Sequence, residues 1–163
     1  MSDSPFSNRV RVRVNGLLVR QRSLLMVKMN TPTMDEPFWM PPGGGLKFGE
    51  TMEEAVRREM KEETGLQVKV NELQYVSEYV RPPWHAVEFY FNSELIDGEV
   101  ALGEDPELIG QIQYLQDIKF ISFKDFPSFN IAPPYLKEHF VQDYISGKKE
   151  TTFYREEYDS DDD

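Results

Sequence analysis

The stretch of residues 44–66, GGLKFGETMEEAVRREMKEETGL, decides the fold expected for this chain, because it reads as a glycine-rich loop that runs into one short helix. Thr51 and Glu54 have the spacing of a capping box, in which a hydroxyl and a carboxylate each accept a hydrogen bond from a backbone N–H. Gly65 is a permissive residue at which the helix can end. The spacing therefore predicts a helix from about Met52 to Thr64.

The charges of this helix lie on an unexpected face. Met52, Ala55 and Val56 form the apolar stripe that should pack on a core. Continuing the i, i+3, i+4 spacing adds positions 59, 62, 63 and 66 to the same face. The first three of these positions are all glutamates: Glu59, Glu62 and Glu63.

A solvated charged face is the ordinary explanation of such a run. Here the opposite side of the helix already provides that face, through Glu53, Glu54, Arg57, Arg58 and Lys61. Like charges at these spacings cost about 0.2–0.5 kcal/mol per pair in water, and more near a core of low dielectric constant. A cation should compensate them, and Mg²⁺ binds in this way through carboxylates, waters and substrate phosphates.

This arrangement resembles the Nudix box, which fixes glycines and charges at set intervals. The matching residues are Gly44, Glu50, Arg58, Glu59, Glu62, Glu63, Gly65 and Leu66. Met60 stands where the pattern usually has a branched aliphatic residue, a change that affects packing only. The preceding Phe-Trp-Met-Pro-Pro-Gly-Gly also resembles the family. The resemblance implies an α/β fold, a Nudix-like α/β/α sandwich with a mixed β-sheet.

The resemblance also implies a reaction, the hydrolysis of a nucleoside diphosphate linked to a further group X, with Mg²⁺ as cofactor and Mn²⁺ as a substitute. The implied metal ligands are Glu59, Glu62, Glu63 and the carbonyl of Gly44. Glu62 or Glu63 would activate water, Arg58 would orient the carboxylates, and Glu50 would hold the loop. Members of the family commonly add a carboxylate from a later loop, for which Glu104 is the first choice and Glu88 the second.

Candidates for substrate binding carry weaker signals. Trp39 and Trp84 are suited to stacking on a base, as are Phe48 and Tyr79, although aromatic residues more often belong to a core. Asn130 resembles a position that reads a purine edge in some relatives, and it is equally suited to a turn or helix entry. His85 is expected to be structural, because the box needs no histidine.

Three functions stay open on these residues. The first choice is a pyrophosphohydrolase that cleaves a nucleoside triphosphate to the monophosphate and pyrophosphate, which Asn130 favours. The alternative is an ADP-ribose or nucleotide-sugar pyrophosphatase, because Pro82 and Pro83 lie close to where such relatives tend to carry a proline. A Nudix protein that binds a nucleotide without turnover is the third, but such a protein should have lost box carboxylates.

Composition limits the remaining classes. The 163 residues suit a single domain, assigned to residues 1–150, followed by an acidic tail at 151–163. The absence of cysteine excludes disulfides and thiol catalysis. A net charge of −11 argues against duplex nucleic acid or anionic lipid as a partner. We expect a cytoplasmic protein that acts on a small nucleotide, with no membrane segment, and a homodimer is compatible with the sequence.

The remaining pattern predicts mixed strands with one early and one late helix. Residues 8–30 form two strands, with the turn either at Asn15-Gly16, which is a strong hairpin signal, or near residue 21, as the resemblance implies. Further strands are expected at residues 38–40, 67–80 (as one strand or two), 84–95 and 118–123, with a loop over 97–110. Pro133-Pro134 should open the last helix, with Leu136, Phe140, Val141 and Tyr144 inward and Gly147 at its end.

Overall fold

A computed structural model describes residues 6–32, 34–104, 106 and 113–156. These residues form a mixed sheet and two α-helices, and a 3₁₀ helix at Phe123–Ser128 precedes the second of them. The strands are β1 Arg9–Arg20, β2 Ser23–Met29, β3 Phe38–Met40, β4 Gly43–Gly45, β5 Gln67–Arg81, β6 Trp84–Asp97, β7 Leu115–Ser122 and β8 Thr152–Arg155. The helices are α1 Met52–Thr64 and α2 Pro134–Ser146. None of the helices in the described part of the chain has the length and apolar character needed to cross a bilayer.

The sheet has the order β3-β2-β1-β6-β5-β8, with β4 also paired to β1 and β7 to β2. The pairs β1–β6 and β5–β8 are parallel, whereas the other pairs are antiparallel. This order places β1 beside β6 in the middle of the sheet. Side chains from these two distant segments therefore face one another in register.

The first turn lies at Gln21 and Arg22, which both have positive φ, at 50° and 57°. Such a pair suits the tight turn that matches the twist of a hairpin. The prediction of one long first strand is thereby confirmed, and the hairpin at Asn15-Gly16 is wrong. Gly16 lies inside β1, where a Cβ would stand 2.9 Å from the sulfur of Met60. This glycine makes room for α1 and does not make a turn.

The two helices cover opposite faces of the sheet. On one face Ala55, Val56 and Met60 of α1 pack with Val14 and Leu18 of β1. On the other face, α2 contributes to a cluster that includes Leu17, Tyr75, Tyr90, Leu136 and Phe140. The predicted α/β/α sandwich is confirmed. Within α2, Tyr144 is 49% exposed, but its ring contacts those of the buried Phe123 and Phe140, so it lies at the edge of the inner face.

The sheet continues beyond the predicted boundary at residue 150. Residues 152–155 form β8, which pairs in parallel with β5 from Tyr75 to Glu78. The segment taken as the start of an acidic tail therefore supplies an edge strand, because its alternating pattern allows it to add to β5. Residues 157–163 lie outside the described residues. β4 and the 3₁₀ helix are too short to carry a periodic signal, so the sequence does not predict them.

Candidate active site

The helix α1 is held at both ends by the caps that its sequence predicts. The Thr51 hydroxyl accepts a hydrogen bond from the Glu54 N–H at 3.1 Å, and the Glu54 carboxylate accepts one from the Thr51 N–H at 2.8 Å. At the other end Gly65 adopts φ 75° and its N–H donates to the carbonyl of Lys61. The capping box is confirmed. These caps fix where α1 begins and ends, and its apolar side chains Ala55, Val56 and Met60 turn one face toward the sheet.

Two of the box glutamates are turned inward against the glycine strand β4. Glu59 is 9% exposed and Glu63 is 5% exposed. The Gly43 N–H donates to Glu63 Oε2 at 3.1 Å. At Gly44 any Cβ would collide with the Glu59 carboxylate. Gly44 therefore allows the Glu59 carboxylate to approach the backbone of β4 this closely.

Arg58 ties the loop to the helix through Glu50. Its Nε and Nη2 donate to the two oxygens of Glu50 at 3.1 and 2.6 Å, and Nη2 also donates to the carbonyl of Gly45 at 3.1 Å. Glu50 accepts a further hydrogen bond from the Lys47 N–H at 2.8 Å. The Arg58 hydrogen bonds hold the pKa of Glu50 below its usual value. This geometry fits the loop-holding role that the resemblance implies for Glu50.

The same guanidinium lies between two further carboxylates. Arg58 Nη1 donates to Glu59 at 2.7 Å and to Glu62 at 3.2 Å. Burial raises the pKa of Glu59 even though Arg58 acts to lower it. One arginine therefore does not fully offset the cost of burying this negative charge. A further cation near Glu59 would stabilise its charged form.

The donors in this cluster match a hard divalent cation in type, since they are carboxylate and carbonyl oxygens. Within the described ranges, no group of three or more acidic or histidine side chains is spaced to hold a metal ion as it stands. Gathering Glu59, Glu62 and Glu63 around one ion therefore requires their side chains to rearrange. The ion would then take over the neutralising role that Arg58 has here.

A further carboxylate, that of Glu88, lies on β6 in the sheet, beside Arg13 of the neighbouring strand β1. The two residues are in register, with Arg13 Nε 3.1 Å from Glu88 Oε1. The Tyr90 hydroxyl donates to Glu88 Oε2 at 2.8 Å. Burial opposes the charge of Arg13, but attraction to Glu88, Glu63 and Glu59 outweighs it and raises its pKa. Arg13 thus lies within the field of both Glu88 and the box carboxylates.

Arg13 and Glu88 also line a pocket of about 430 Å³. This volume falls within the range typical of small-molecule sites. Other walls are aromatic, including Trp84 and Tyr79, and basic, including Arg81. The pocket therefore combines flat apolar surfaces with a positive group, Arg13, that interacts electrostatically with Glu59 and Glu63 of the box. Such a surface suits a ligand with a ring at one end and phosphates at the other.

The structure separates the three residues predicted to bind substrate. Trp84 and Asn130 line the pocket. Trp39 is 7% exposed and packs edge-on against Phe129 in the core, so it is not among the described residues that line the pocket. The Asn130 side chain donates to the carbonyl of Pro37 at 3.0 Å, a contact that fixes a loop. The pocket thus keeps Trp84 as its predicted stacking residue.

The two carboxylates predicted to complete the metal site differ in their surroundings. Glu104 is exposed and follows Gly103, whose N–H donates to the carbonyl of Glu63 at 2.9 Å. This contact brings the loop to the end of α1, and a role for Glu104 as a ligand stays a prediction. Glu88 is held by Arg13 and Tyr90. Both of its oxygens therefore already have a protein partner.

Several pocket residues were missed by the sequence analysis. Arg13 belongs to an alternating Arg-Val run that served only to predict a strand. Glu156 was counted with the acidic tail, but it lines the pocket. Tyr90 had no signal beyond its place on the face of Glu88. Alternation along β6 would have linked Tyr90 to Glu88, whereas nothing local to Arg13 or Glu156 indicates their partners.

Comparisons with known proteins agree with this geometry. Residues 8–142 match the family profile described as NUDIX domain. An ADP-ribose pyrophosphatase of Methanocaldococcus jannaschii is 31% identical over 139 residues, which cover 84% of this chain and 74% of that protein. A NUDIX hydrolase structure from Nitrosomonas europaea has a TM-score of 0.69 at 19% identity, covering 86% of this chain and 92% of that one. A UDP-X diphosphatase structure has a TM-score of 0.68 at 19% identity, covering 90% and 68%. The two structures establish the shared fold.

Proposed function

The chain belongs to the Nudix hydrolase family, whose enzymes act on pyrophosphate bonds, and from this premise we propose that it is a Mg²⁺-dependent hydrolase of a nucleoside diphosphate linked to a further group X. The observation that carries the proposal is the position of Arg13. It lines the pocket, contacts Glu88 and lies in the field of Glu59 and Glu63. A diphosphate between the pocket and the box would meet this cation.

The box residues take the roles that the family pattern implies. Glu59, Glu62, Glu63 and the carbonyl of Gly44 would hold Mg²⁺, with Mn²⁺ as a substitute. When bound, the ion would neutralise phosphate oxygens and make water more acidic. Glu62 or Glu63 would accept the proton of the attacking water. Arg58 would orient the carboxylates, and Arg13 would bind phosphate oxygens from the pocket side.

Among possible substrates, we propose ADP-ribose or a similar nucleotide sugar ahead of a nucleoside triphosphate. The archaeal relative is named an ADP-ribose pyrophosphatase. The sequence-based preference for a triphosphate depended on the short single-domain chain and on Asn130, whose side chain donates a hydrogen bond to the carbonyl of Pro37. The proline cue is neutral, because Pro82 and Pro83 form the two-residue turn between β5 and β6. The pocket walls suit a nucleoside in both cases.

A substrate screen tests the proposal. ADP-ribose, ADP-glucose, the nucleoside triphosphates and dinucleotides are incubated with Mg²⁺, and phosphate-containing products are separated by chromatography. We expect ADP-ribose or a nucleotide sugar to give the highest kcat/KM, and excess EDTA to abolish turnover. Arg13→Ala should lower kcat/KM on the order of a hundredfold by removing a charged phosphate contact. The exposed Arg57→Ala should leave it unchanged. Activity that persists in EDTA would contradict the metal-dependent reaction.

The binding partner, the assembly state and the cellular compartment of the enzyme remain predictions. We propose a small nucleotide as its partner, a homodimer as its assembly and the cytoplasm as its compartment. Light scattering of the purified chain measures the mass of the assembly, and a mass of one chain would contradict the homodimer.

A further inference from the structure

The last described residue, Glu156, is delivered to the pocket by β8. Its N–H donates to the carbonyl of Glu78 on β5 at 3.0 Å. The preceding residue, Arg155, lies opposite Glu78 and contacts its carboxylate at 3.3 Å on the other face of the sheet. Because side chains alternate along an extended chain, Glu156 turns to the opposite side and lines the pocket. The edge strand thus supplies a functional group to a site whose other residues are distant in sequence.

The two carboxyl groups at this end of the pocket have different surroundings. Glu88 forms an ion pair with Arg13 and accepts a hydrogen bond from the Tyr90 hydroxyl. Glu156 is half-buried, and burial together with the charge of Glu88 raises the pKa of Glu156 to about 7. The titratable groups that interact electrostatically with Glu156 are Glu88 and Tyr90 on β6, Tyr79 on β5 and Tyr154 on β8. The other charged or titratable side chains that line the same pocket are Arg11 and Arg13 on β1, Arg81 on β5, His85 on β6, and Asp35 and Glu36 in the loop before β3.

We propose that Glu156 is a specificity-determining residue that pairs with the Watson–Crick edge of adenine in the substrate. A carboxylic acid has one O–H donor and one carbonyl acceptor. Adenine offers the matching pair, a ring nitrogen that accepts and an amino group that donates. Guanine presents two neighbouring N–H donors on its edge, which match an ionised carboxylate instead. Trp84 and Tyr79, which line the same pocket, provide aromatic surfaces for the base.

This inference rests on the proposed function and deepens it. It predicts that the preferred base depends on pH, because the protonated form of Glu156 selects adenine and the ionised form selects guanine. The effect needs no change in the box. It is therefore separable from catalysis when binding is measured without a metal ion.

The test is calorimetric titration of ADP-glucose and GDP-glucose into the full chain in EDTA, at about pH 6 and about pH 8. The diphosphates of these ligands carry no group that titrates in this range. For the wild type, the ratio of ADP-glucose to GDP-glucose affinity should fall on the order of tenfold from the lower to the higher pH. Glu156→Gln, whose amide also has one donor and one acceptor side, should keep the preference for ADP-glucose at both pH values. Glu156→Ala should lose the preference, while the matched neighbour Arg155→Ala should behave as the wild type.

A ratio that does not change with pH in the wild type, or that Glu156→Ala leaves intact, would overturn the inference. In Mg²⁺, the Glu156 variants should change KM for the adenine substrate while kcat stays near that of the wild type. If both nucleotide sugars are hydrolysed but neither result appears, only the role of Glu156 fails. If neither ligand binds and none of the screened nucleotides is hydrolysed, the proposed function fails and this inference fails with it.

Discussion

Neighbouring glutamates of the box differ because each has its own surroundings. Glu50 receives two hydrogen bonds from Arg58, which lower its pKa. Burial raises the pKa of Glu59, nine residues later, although it contacts the same arginine. A formal charge assigned from sequence would treat both alike. The difference arises because Glu59 lies against β4 in the interior, where a negative charge is poorly solvated.

Glu63→Gln should separate metal binding from folding. The amide can still accept the hydrogen bond from the Gly43 N–H, so the free energy of unfolding should change by less than about 1 kcal/mol. Losing a charged ligand should lower kcat on the order of a thousandfold. Steady-state kinetics over a Mg²⁺ series and urea unfolding measure the two effects.

Glu53→Gln is the matched control for this experiment, since Glu53 pairs with Arg57 on the solvent side of α1. It should keep the kcat of the wild type. Equal loss of activity in both variants would show that activity depends on the total negative charge of the helix and not on the inward position of Glu63.

At the scale of elements, the contact between β4 and α1 depends on the absence of a side chain at one position. A Cβ at Gly44 would overlap the Glu59 carboxylate, whereas a Cβ at Gly45 would meet nothing within 4 Å. Gly44→Ala should therefore displace Glu59, destabilise the chain by about 1–3 kcal/mol and raise the Mg²⁺ concentration needed for half-maximal activity. Gly45→Ala should alter neither. Thermal unfolding and Mg²⁺ titration of activity measure both, and identical behaviour of the two variants would contradict the packing argument.

The edge strand β8 is fastened to α2 by aromatic stacking. The ring of Tyr154 lies 4.1 Å from that of Tyr135, with 14° between the planes. Tyr154→Ala should lower the free energy of unfolding by about 2–3 kcal/mol. Phe153→Ala, on the opposite face and 59% exposed, should change it by less than about 0.5 kcal/mol. Urea unfolding followed by circular dichroism decides the comparison, and a larger loss at Phe153 would mean that β8 packs through its other face.

At the level of the whole molecule, the pocket lies on an unexpected face of the sheet. The alternation of valine and arginine in β1 would predict that the arginine face is exposed to solvent. Val10 and Val12 are 58% and 37% exposed, whereas the side chain of Arg13 is only 17% exposed. The reason is that α1 covers only the far part of the valine face, from Val14 onward. The walls of the pocket and Glu88 meanwhile enclose the arginine face.

The burial of Glu156 should link folding to pH. Burial raises the pKa of the Glu156 carboxyl from its ordinary value of about 4.5, which applies in the unfolded chain, to about 7 in the folded chain. Between these values the unfolded state releases its proton first, so the free energy of unfolding falls as the pH rises and stays lower above about pH 7. Glu156→Gln removes this loss. The variant should match the wild type near pH 4 and exceed it by about 1–2 kcal/mol near pH 8, a shift in Tm of several degrees.

Differential scanning calorimetry across this range measures the shift. Glu150→Gln, at an exposed position just before β8, should follow the wild type at every pH. A Glu156→Gln variant that is less stable than the wild type at high pH would contradict the raised pKa of the Glu156 carboxyl in the folded chain.

Features that depend on neighbours along the chain can be predicted from the amino-acid sequence. The helix α1, its caps and the inward glutamates follow from spacing over a few turns, because helical geometry brings residues three and four apart together. The family followed from the same motif, and the positions of most strands along the chain followed from the alternation of apolar and polar residues. The hairpin predicted at Asn15-Gly16 was wrong because the role of this glycine is not local. Gly16 leaves room for the side chain of Met60, which lies 44 residues further along the chain.

Only the tertiary structure decided which distant residues share the pocket. Arg13 meets Glu88 because β1 and β6 pair in parallel in one particular register, and a slip of one residue would turn either side chain to the other face. Glu156 enters the pocket because β8 pairs with β5, and four residues of sequence are too few to predict that pairing. Burial then raises the pKa of Glu156, and burial is a property of the whole packed chain.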